Sequence, residues 1–457
     1  MSKAKSNRKG KAAEVPTPKV PDKSRRKFVA LGLGGLGTAA VAAIGYNSGW
    51  FGSSTSPTPV AAPTPNLATG KPLPPVTLTA NYQNALQAAS EITSHFAREL
   101  NNPSALIHGV RAFGKNFKLN DGSLAVDYIC SRFGAEKEVN GKRYVYFKRD
   151  AEVHENSFLK TMLEAGVSHD QPITVGNNKY TLHDLGESAK ALFRCDLNNF
   201  DRYEPNLLGQ HLPWGLIAFS ILTKPAQPTW VNAYGETIDF QALIDRSLAV
   251  VESTCSDIEA TVGRGEMESL EFRQAISKYS CAGMHNVYSY FSCLNHGFTG
   301  NDLQKRLSKL LDNTLLRLKG DSLAIDREAE AAKEMGPDFV NRLAVEGQGG
   351  KLATNGRAPA DTLEVMRYRL QVRMLGHAME AINYAQLHKL FQLSPEQKGK
   401  IMAGEQLLYD YIVKTRATDL QPYMVWYDKF VSDIVIAFAH AVRGMKLLTS
   451  ENPDTAA

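Results

Sequence analysis

The sequence predicts an all-α domain, an α/α barrel (toroid) or a helical solenoid of antiparallel helices, with one or two small β-hairpins. Three observations predict it. From Asn81 onward, apolar residues recur with a period near 3.6. Fourteen such stretches follow one another, and only two short segments read as strands. Two of the helical stretches, Pro205–Thr223 and Tyr279–Asn301, contain no Lys, Arg, Asp or Glu. Helices enclosed by other helices shed those residues, because burying an unpaired charge is costly.

The elements follow in chain order. Residues 1–50 form a basic lead and an apolar run. Ser24-Arg25-Arg26-Lys27-Phe28 precedes a stretch from Val29 to about Ile44 that is rich in Gly and Ala. This resembles the twin-arginine export signal of bacteria, with Val29 in the place of the usual Leu and no trailing Lys. The resemblance implies export to the periplasm or the outer face of the cytoplasmic membrane. About 16 apolar residues is short against the ~20 of a spanning helix, and no clear Ala-x-Ala site follows, so cleaved signal and retained anchor both stay open. Residues 51–78 are a Pro/Thr/Ser/Ala-rich spacer, and residues 79–457 are the helical domain.

Within that domain the periodicity predicts helices over 81–100, 105–113, 123–133, 156–166, 181–194, 205–223, 239–262, 269–278, 281–297, 302–318, 322–334, 361–390, 395–415 and 421–446. Ser394-Pro395-Glu396-Gln397 supplies an N-cap, a first-turn Pro and a capping-box Gln, and Thr181–Asp184 has the same shape. Asn140-Gly141 suits a tight hairpin turn, and a second strand pair surrounds Asn177-Asn178. Residues 346–359 are a Gly-rich loop.

Charge and cysteines narrow the function classes. Residues 1–27 hold ten Lys/Arg and two acidic residues, a net +8, so the remainder, 42 basic against 45 acidic, is −3. That body lacks the basic stripe that nucleic-acid binding needs, which excludes nucleic acid as an expected partner. The membrane is reached only through the N-terminal segment. Five scattered cysteines, an odd number, make no disulfide framework.

Two helices carry the candidate chemistry. At 100° per residue, Cys281, His285, Tyr288, Ser292 and Asn295 share one face of the 281–297 helix, opposite Met284, Val287, Phe291 and Leu294. A polar face without charge reads as the wall of an internal pocket. On 361–390, Arg369, Arg373, His377, Glu380 and Tyr384 form one stripe. His377 and Glu380 suit a carboxylate-oriented acid–base pair, and Arg373 suits an anionic group. The plainer reading makes that stripe a solvent face with surface ion pairs. Cys281-x-x-x-His285 puts a thiolate and an imidazole at chelating distance for zinc, with His211 or His377 from a facing helix as the further ligand. His154 and Glu155 read as helix-start residues. Trp230–Glu236, "WVNAYGE", reads as a loop with the mix for stacking and hydrogen-bonding a sugar.

"HENSFLKTMLEAGV", "YTLHDL", Trp230–Glu236, "CAGMH" and "LGHAMEA", in this order, resemble a group of exported bacterial proteins. The resemblance covers about residues 100–415 and implies an α/α toroid; the group brings no established activity. Two functions are therefore expected in parallel. One is a cell-envelope enzyme acting on a glycan or other polar substrate in a central pocket lined by His285, Tyr288, Arg373, His377 and Glu380. The other is a non-catalytic, membrane-tethered binding or assembly protein. An enzyme requires the two polar stripes to converge on one accessible cavity; a scaffold requires them to part.

Overall fold

A computed structural model describes residues 73–197, 200, 211–264, 279–336, 359–426 and 429–455. The expected signal and most of the spacer, the helix at 269–278, the start of the 205–223 helix and the Gly-rich loop up to residue 358 lie outside the described residues. Among the described residues the chain is mostly helical, with three two-stranded antiparallel sheets.

Helices α1 (Tyr82–Phe96) and α2 (Pro103–Phe113) begin on asparagine caps: Asn81 Oδ1 accepts from the Asn84 amide and Asn102 Oδ1 from the Ala105 amide, both at 3.0 Å. After α3 (Ala125–Phe133) comes the expected hairpin of β1 (Gly134–Val139) and β2 (Lys142–Phe147). Its turn residues Asn140 and Gly141 have φ of 52° and 77°, the left-handed pair that a two-residue turn requires. Next come α4 (Ser157–Glu164), the pair β3 (Pro172–Val175) and β4 (Asn178–Thr181), α5 (Leu182–Leu192) and α6 (Leu212–Leu222). The capping boxes at Thr181/Asp184 and Ser394/Gln397 both form.

A third strand pair, β5 (Thr229–Val231) with β6 (Thr237–Asp239), replaces the loop expected at Trp230–Glu236. Three residues per strand are too few to show an alternation. The turn is held instead by Asn232, whose Oδ1 accepts from the Tyr234 and Glu236 amides at 2.9 Å each. Then come α7 (Phe240–Gly263), α8 (Met284–Asn295) and α9 (Leu303–Glu334). Two helices divided near Gly320 were expected where α9 runs unbroken. An interior Gly weakens a helix by only about 1 kcal/mol, and here Gly320 is buried and Arg317 bridges to Asp321 at 2.9 Å across it. The chain ends with α10 (Thr362–Leu387), α11 (Pro395–Arg416), α12 (Gln421–Trp426) and α13 (Phe430–Lys446), the last two in place of the single helix expected over 421–446.

The packing centres on α10, which lies against α8, α9, α11 and α13, while α13 also packs on α1 and α2. Two glycines allow α10 and α13 to approach closely. A Cβ on Gly376 would lie 3.0 Å from the Ala441 nitrogen, and one on Gly444 would lie 2.9 Å from the Glu380 nitrogen. This close crossing brings residues of α10, α13, α2 and α8 onto one buried polar centre. No helix among the described residues is long and apolar enough to cross a membrane.

Candidate metal centre and its cleft

The uncharged stretch begins with a departure from the expected helix. Ser280–Gly283 is a single 3-10 turn in which Cys281 (φ 51°, ψ 42°), Ala282 (φ 54°, ψ 36°) and Gly283 (φ 76°, ψ 4°) are all left-handed. Cys281 therefore sits on a turn ahead of α8 and not on its face. Each non-glycine residue in that region costs about 1–3 kcal/mol and persists only where its surroundings hold it. Arg317 does so here: one Nη donates to the Ala282 carbonyl at 2.5 Å and to Asp321 at 2.9 Å.

The turn carries Cys281 to His285, in the first turn of α8, and to His377 on α10. All three are buried, at 6%, 5% and 2% exposure. One ligand atom from each lies within 4.8 Å of the others, a group that could hold a metal ion. The His285 and His377 rings meet edge to face at 4.7 Å. His377 Nδ1–H donates to the Arg373 carbonyl at 2.6 Å. That bond fixes the tautomer and leaves Nε2 as a buried lone pair with no hydrogen-bond partner. Burial holds both imidazoles well below the usual histidine range, helped by His377 and His440 for His285 and by Arg373 for His377. Neutral rings of this kind are ligands, not cations. Arg373 secures two of the three groups at once, since its Nε–H also donates to Cys281 Sγ at 3.4 Å.

His377 and Glu380, expected to pair, do not. Glu380 turns to three donors on α13 and α2. His440 Nδ1–H donates to it at 2.6 Å, Arg443 at 2.9 Å, and Arg111 forms an ion pair at 2.7 Å. A buried carboxylate is stabilised most by full charges, and His377, already bonded to its own helix, brings none. Arg111 Nε also lies 3.3 Å from His440 Nδ1; the shorter, charge-assisted bond to Glu380 takes the ring proton. Burial would raise the Glu380 carboxyl, but Arg111, Arg443 and Lys160 overcome it and hold the group well below the carboxylate range. His440 stacks on His377 at 3.6 Å.

Below lies Glu164, which pairs with Lys160 and Arg111 at 2.7 Å each and accepts from the Tyr288 hydroxyl. Arg111, Lys160 and Arg443 surround the Tyr288 ring at 5.6, 5.2 and 5.5 Å. Burial pushes the Tyr288 phenol well above its usual range and brings Lys160 down to about 7. Arg443 is also bound by Asp454 at 3.1 and 2.5 Å. Three cations thus face Glu164, Glu380 and Asp454.

Cys281, His285, Arg373, His440, Lys160 and Arg111 line a cleft of about 1260 Å³. Each stripe reaches it at one point, His285 on α8 and Arg373 on α10, whereas Tyr288, His377 and Glu380, expected to line the pocket, lie behind its wall. Apart from the half-buried Arg373 the stripe on α10 is buried, not a solvent face: Arg369 pairs with Asp433 at 2.5 Å and Tyr384 accepts from Asn295 at 2.9 Å. His211 stands apart from the metal-ligand group. Its ring nitrogens face Arg149 at 2.9 Å and the Glu155 amide at 3.3 Å, so His377 takes the position foreseen for it. His154 stacks flat on Trp214 at 4.0 Å in the cleft wall. The Trp230–Glu236 hairpin lies away from the cleft, with the Trp230 indole donating to the Lys190 carbonyl at 2.9 Å.

The residues missed from sequence are Arg111, Lys160, Glu164, His440, Arg443 and Asp454. The first five carried a usable signal, being ionisable groups on otherwise apolar helical faces such as "IAFAHAVRGMK". Comparison with protein families, with curated proteins and with solved structures finds no match.

Proposed function

We propose that this protein is an enzyme built around one transition-metal ion, zinc before others, held by Cys281 Sγ, His285 and His377 Nε2, and that it hydrolyses a polar substrate in the cleft. The observation that carries the reading is the convergence of one thiol and two neutral imidazoles, Cys281 and His285 at the cleft wall and His377 behind it with a buried nitrogen that has no other partner. Mixed sulfur and nitrogen donors suit zinc. Ligand atoms around a tetrahedral zinc lie about 3.5 Å apart, so a present spread of up to 4.8 Å needs only small side-chain adjustment. Three protein ligands leave a fourth position for water or substrate, the arrangement of catalytic rather than structural zinc. A bound ion there would activate water as the nucleophile.

The chain's own residues supply the rest. Arg373 donates to the sulfur, which tempers its negative charge, and holds His377 through its carbonyl. The meeting of His285 and Arg373, one from each polar stripe, in a single cleft favours an enzyme over a membrane-tethered binding protein. In this reading the twin-arginine-type signal exports the domain already folded and loaded, and the substrate is a glycan or other polar molecule of the cell envelope.

Metal analysis of the purified full chain tests it. One zinc per chain is expected, with loss of the metal in Cys281→Ala and in His377→Ala. A metal-free protein that also fails to take up added zinc, cobalt or nickel contradicts the proposal.

A further inference from the structure

The outer half of the cleft differs from its floor. Lys429, which caps α13, and Ser432, Ile436 and His440 along one side of that helix line it from rim to floor. At 1.5 Å per residue, Lys429 and His440 stand about 16 Å apart. The volume of about 1260 Å³ exceeds the roughly 300–1,000 Å³ typical of a small-molecule site. The space suits an extended molecule.

Its charge is equally specific. Ten arginines among the described residues, 111, 143, 149, 194, 306, 317, 367, 369, 416 and 443, form ion pairs with carboxylates. Arg98 and Arg132 form none among the described residues, and both line this cleft, as does Lys429, which likewise has no carboxylate partner among them. Arg98 is fixed by donating to the Ser94 carbonyl at 2.5 Å and the Lys118 carbonyl at 3.0 Å, bonds that orient the guanidinium without neutralising it. Of the three acidic residues on the wall, Asp433 is taken by Arg369, leaving Glu99 and Asp150 against the three cations.

We propose that the outer half of the cleft binds an oxyanion of the substrate, a carboxylate or a phosphate, through Arg98, Arg132 and Lys429. The substrate is then an extended anionic molecule whose reacting bond lies at the inner end, beside Cys281, His285 and His377. This rests on the enzyme reading above for what happens at the inner end, but the binding itself does not require the metal.

Calorimetric titration of the full chain, metal-free and zinc-loaded, tests it with three probes: trigalacturonate, neutral maltotriose of matching length, and the shorter tripolyphosphate. At least one anionic probe is expected to bind tenfold or more tightly than maltotriose in both forms, and preference between the two identifies carboxylate or phosphate. Arg132→Gln and Lys429→Gln, both at exposed positions that leave the fold intact, should each weaken it about tenfold, the usual effect of one charge-assisted hydrogen bond. Zinc content should not change. Equal binding of all three probes, or anion binding unaltered in both variants, overturns the proposal. A chain that binds the anion but no metal would instead overturn the metal centre alone.

Discussion

Glu380→Gln tests whether the buried charges beneath the cleft form one balanced set. Glu380 is 2% exposed and contacts Arg111, Arg443 and His440 at 2.7, 2.9 and 2.6 Å. The substitution preserves shape but leaves three cations against two carboxylates. Removing one member of a buried pair typically costs about 3–5 kcal/mol. The lower end applies near neutral pH, because Lys160, already brought down to about 7 by burial and Arg111, relieves the excess by releasing its proton. At pH 6 the wild-type set is neutral and the variant's carries +1; at pH 8, with Lys160 uncharged in both, the variant's set is neutral. The deficit should therefore be about 3 kcal/mol near pH 7, larger at pH 6 and smaller at pH 8, read from denaturant titrations followed by tryptophan fluorescence. A melting temperature lower by roughly 5 °C should accompany it. Adding Lys160→Met should recover part of the loss at pH 6. A variant within about 1 kcal/mol of wild type at every pH, or one worse at pH 8 than at pH 6, would refute the reasoning.

Asp454→Asn, which removes a charge bound twice by Arg443, should destabilise by about 2–4 kcal/mol in a thermal melt; a neutral effect would mean the C-terminal turn is dispensable. Gly444→Ala places a methyl 2.9 Å from the Glu380 backbone nitrogen and should cost about 1–3 kcal/mol, whereas Gly399→Ala, with nothing within 4 Å, should stabilise α11 slightly. Glu152, buried and accepting from the Phe158 amide at 2.7 Å, has its carboxyl raised by burial from 4.5 to about 8. Its folded form binds the proton more tightly than the unfolded chain, so its contribution is fully present below about pH 4.5 and is lost as pH rises towards 8. Glu152→Gln should flatten that decline, and a parallel pH profile would sink the assignment.

How much of this was legible in sequence follows from what sequence signals encode. Periodicity and caps are local, so the helices with clear faces, the two capping boxes and the Asn140-Gly141 hairpin could be read directly. The unbroken α9 could not, because only the packing around Gly320 and the Arg317–Asp321 bridge carries the helix through. Likewise no local pattern says how antiparallel helices close on one another, or that α10 occupies their middle. For the site, the spacing of Cys281 and His285 was informative although the geometry behind it was not: a left-handed turn, invisible to helical periodicity, brings the sulfur into place. The stripe that carries His377 does bring it beside Cys281 and His285. Its pairing with Glu380 was read from sequence proximity, whereas the carboxylate is claimed by Arg443 and His440 on α13, some sixty positions away, and by Arg111, far earlier in the chain. Such partners are set by the crossing of α10 and α13, which depends on two glycines that no helical pattern singles out.

X-ray absorption at the zinc edge of the zinc-loaded full chain addresses the central claim most directly. The account predicts one sulfur neighbour at about 2.3 Å and two or three nitrogen or oxygen neighbours at about 2.0–2.1 Å, two of them with imidazole scattering. The sulfur shell should vanish in Cys281→Ser, and one imidazole should be lost in His377→Ala. A zinc shell of oxygen alone, or one that keeps its sulfur in Cys281→Ser, would contradict a centre made by Cys281, His285 and His377.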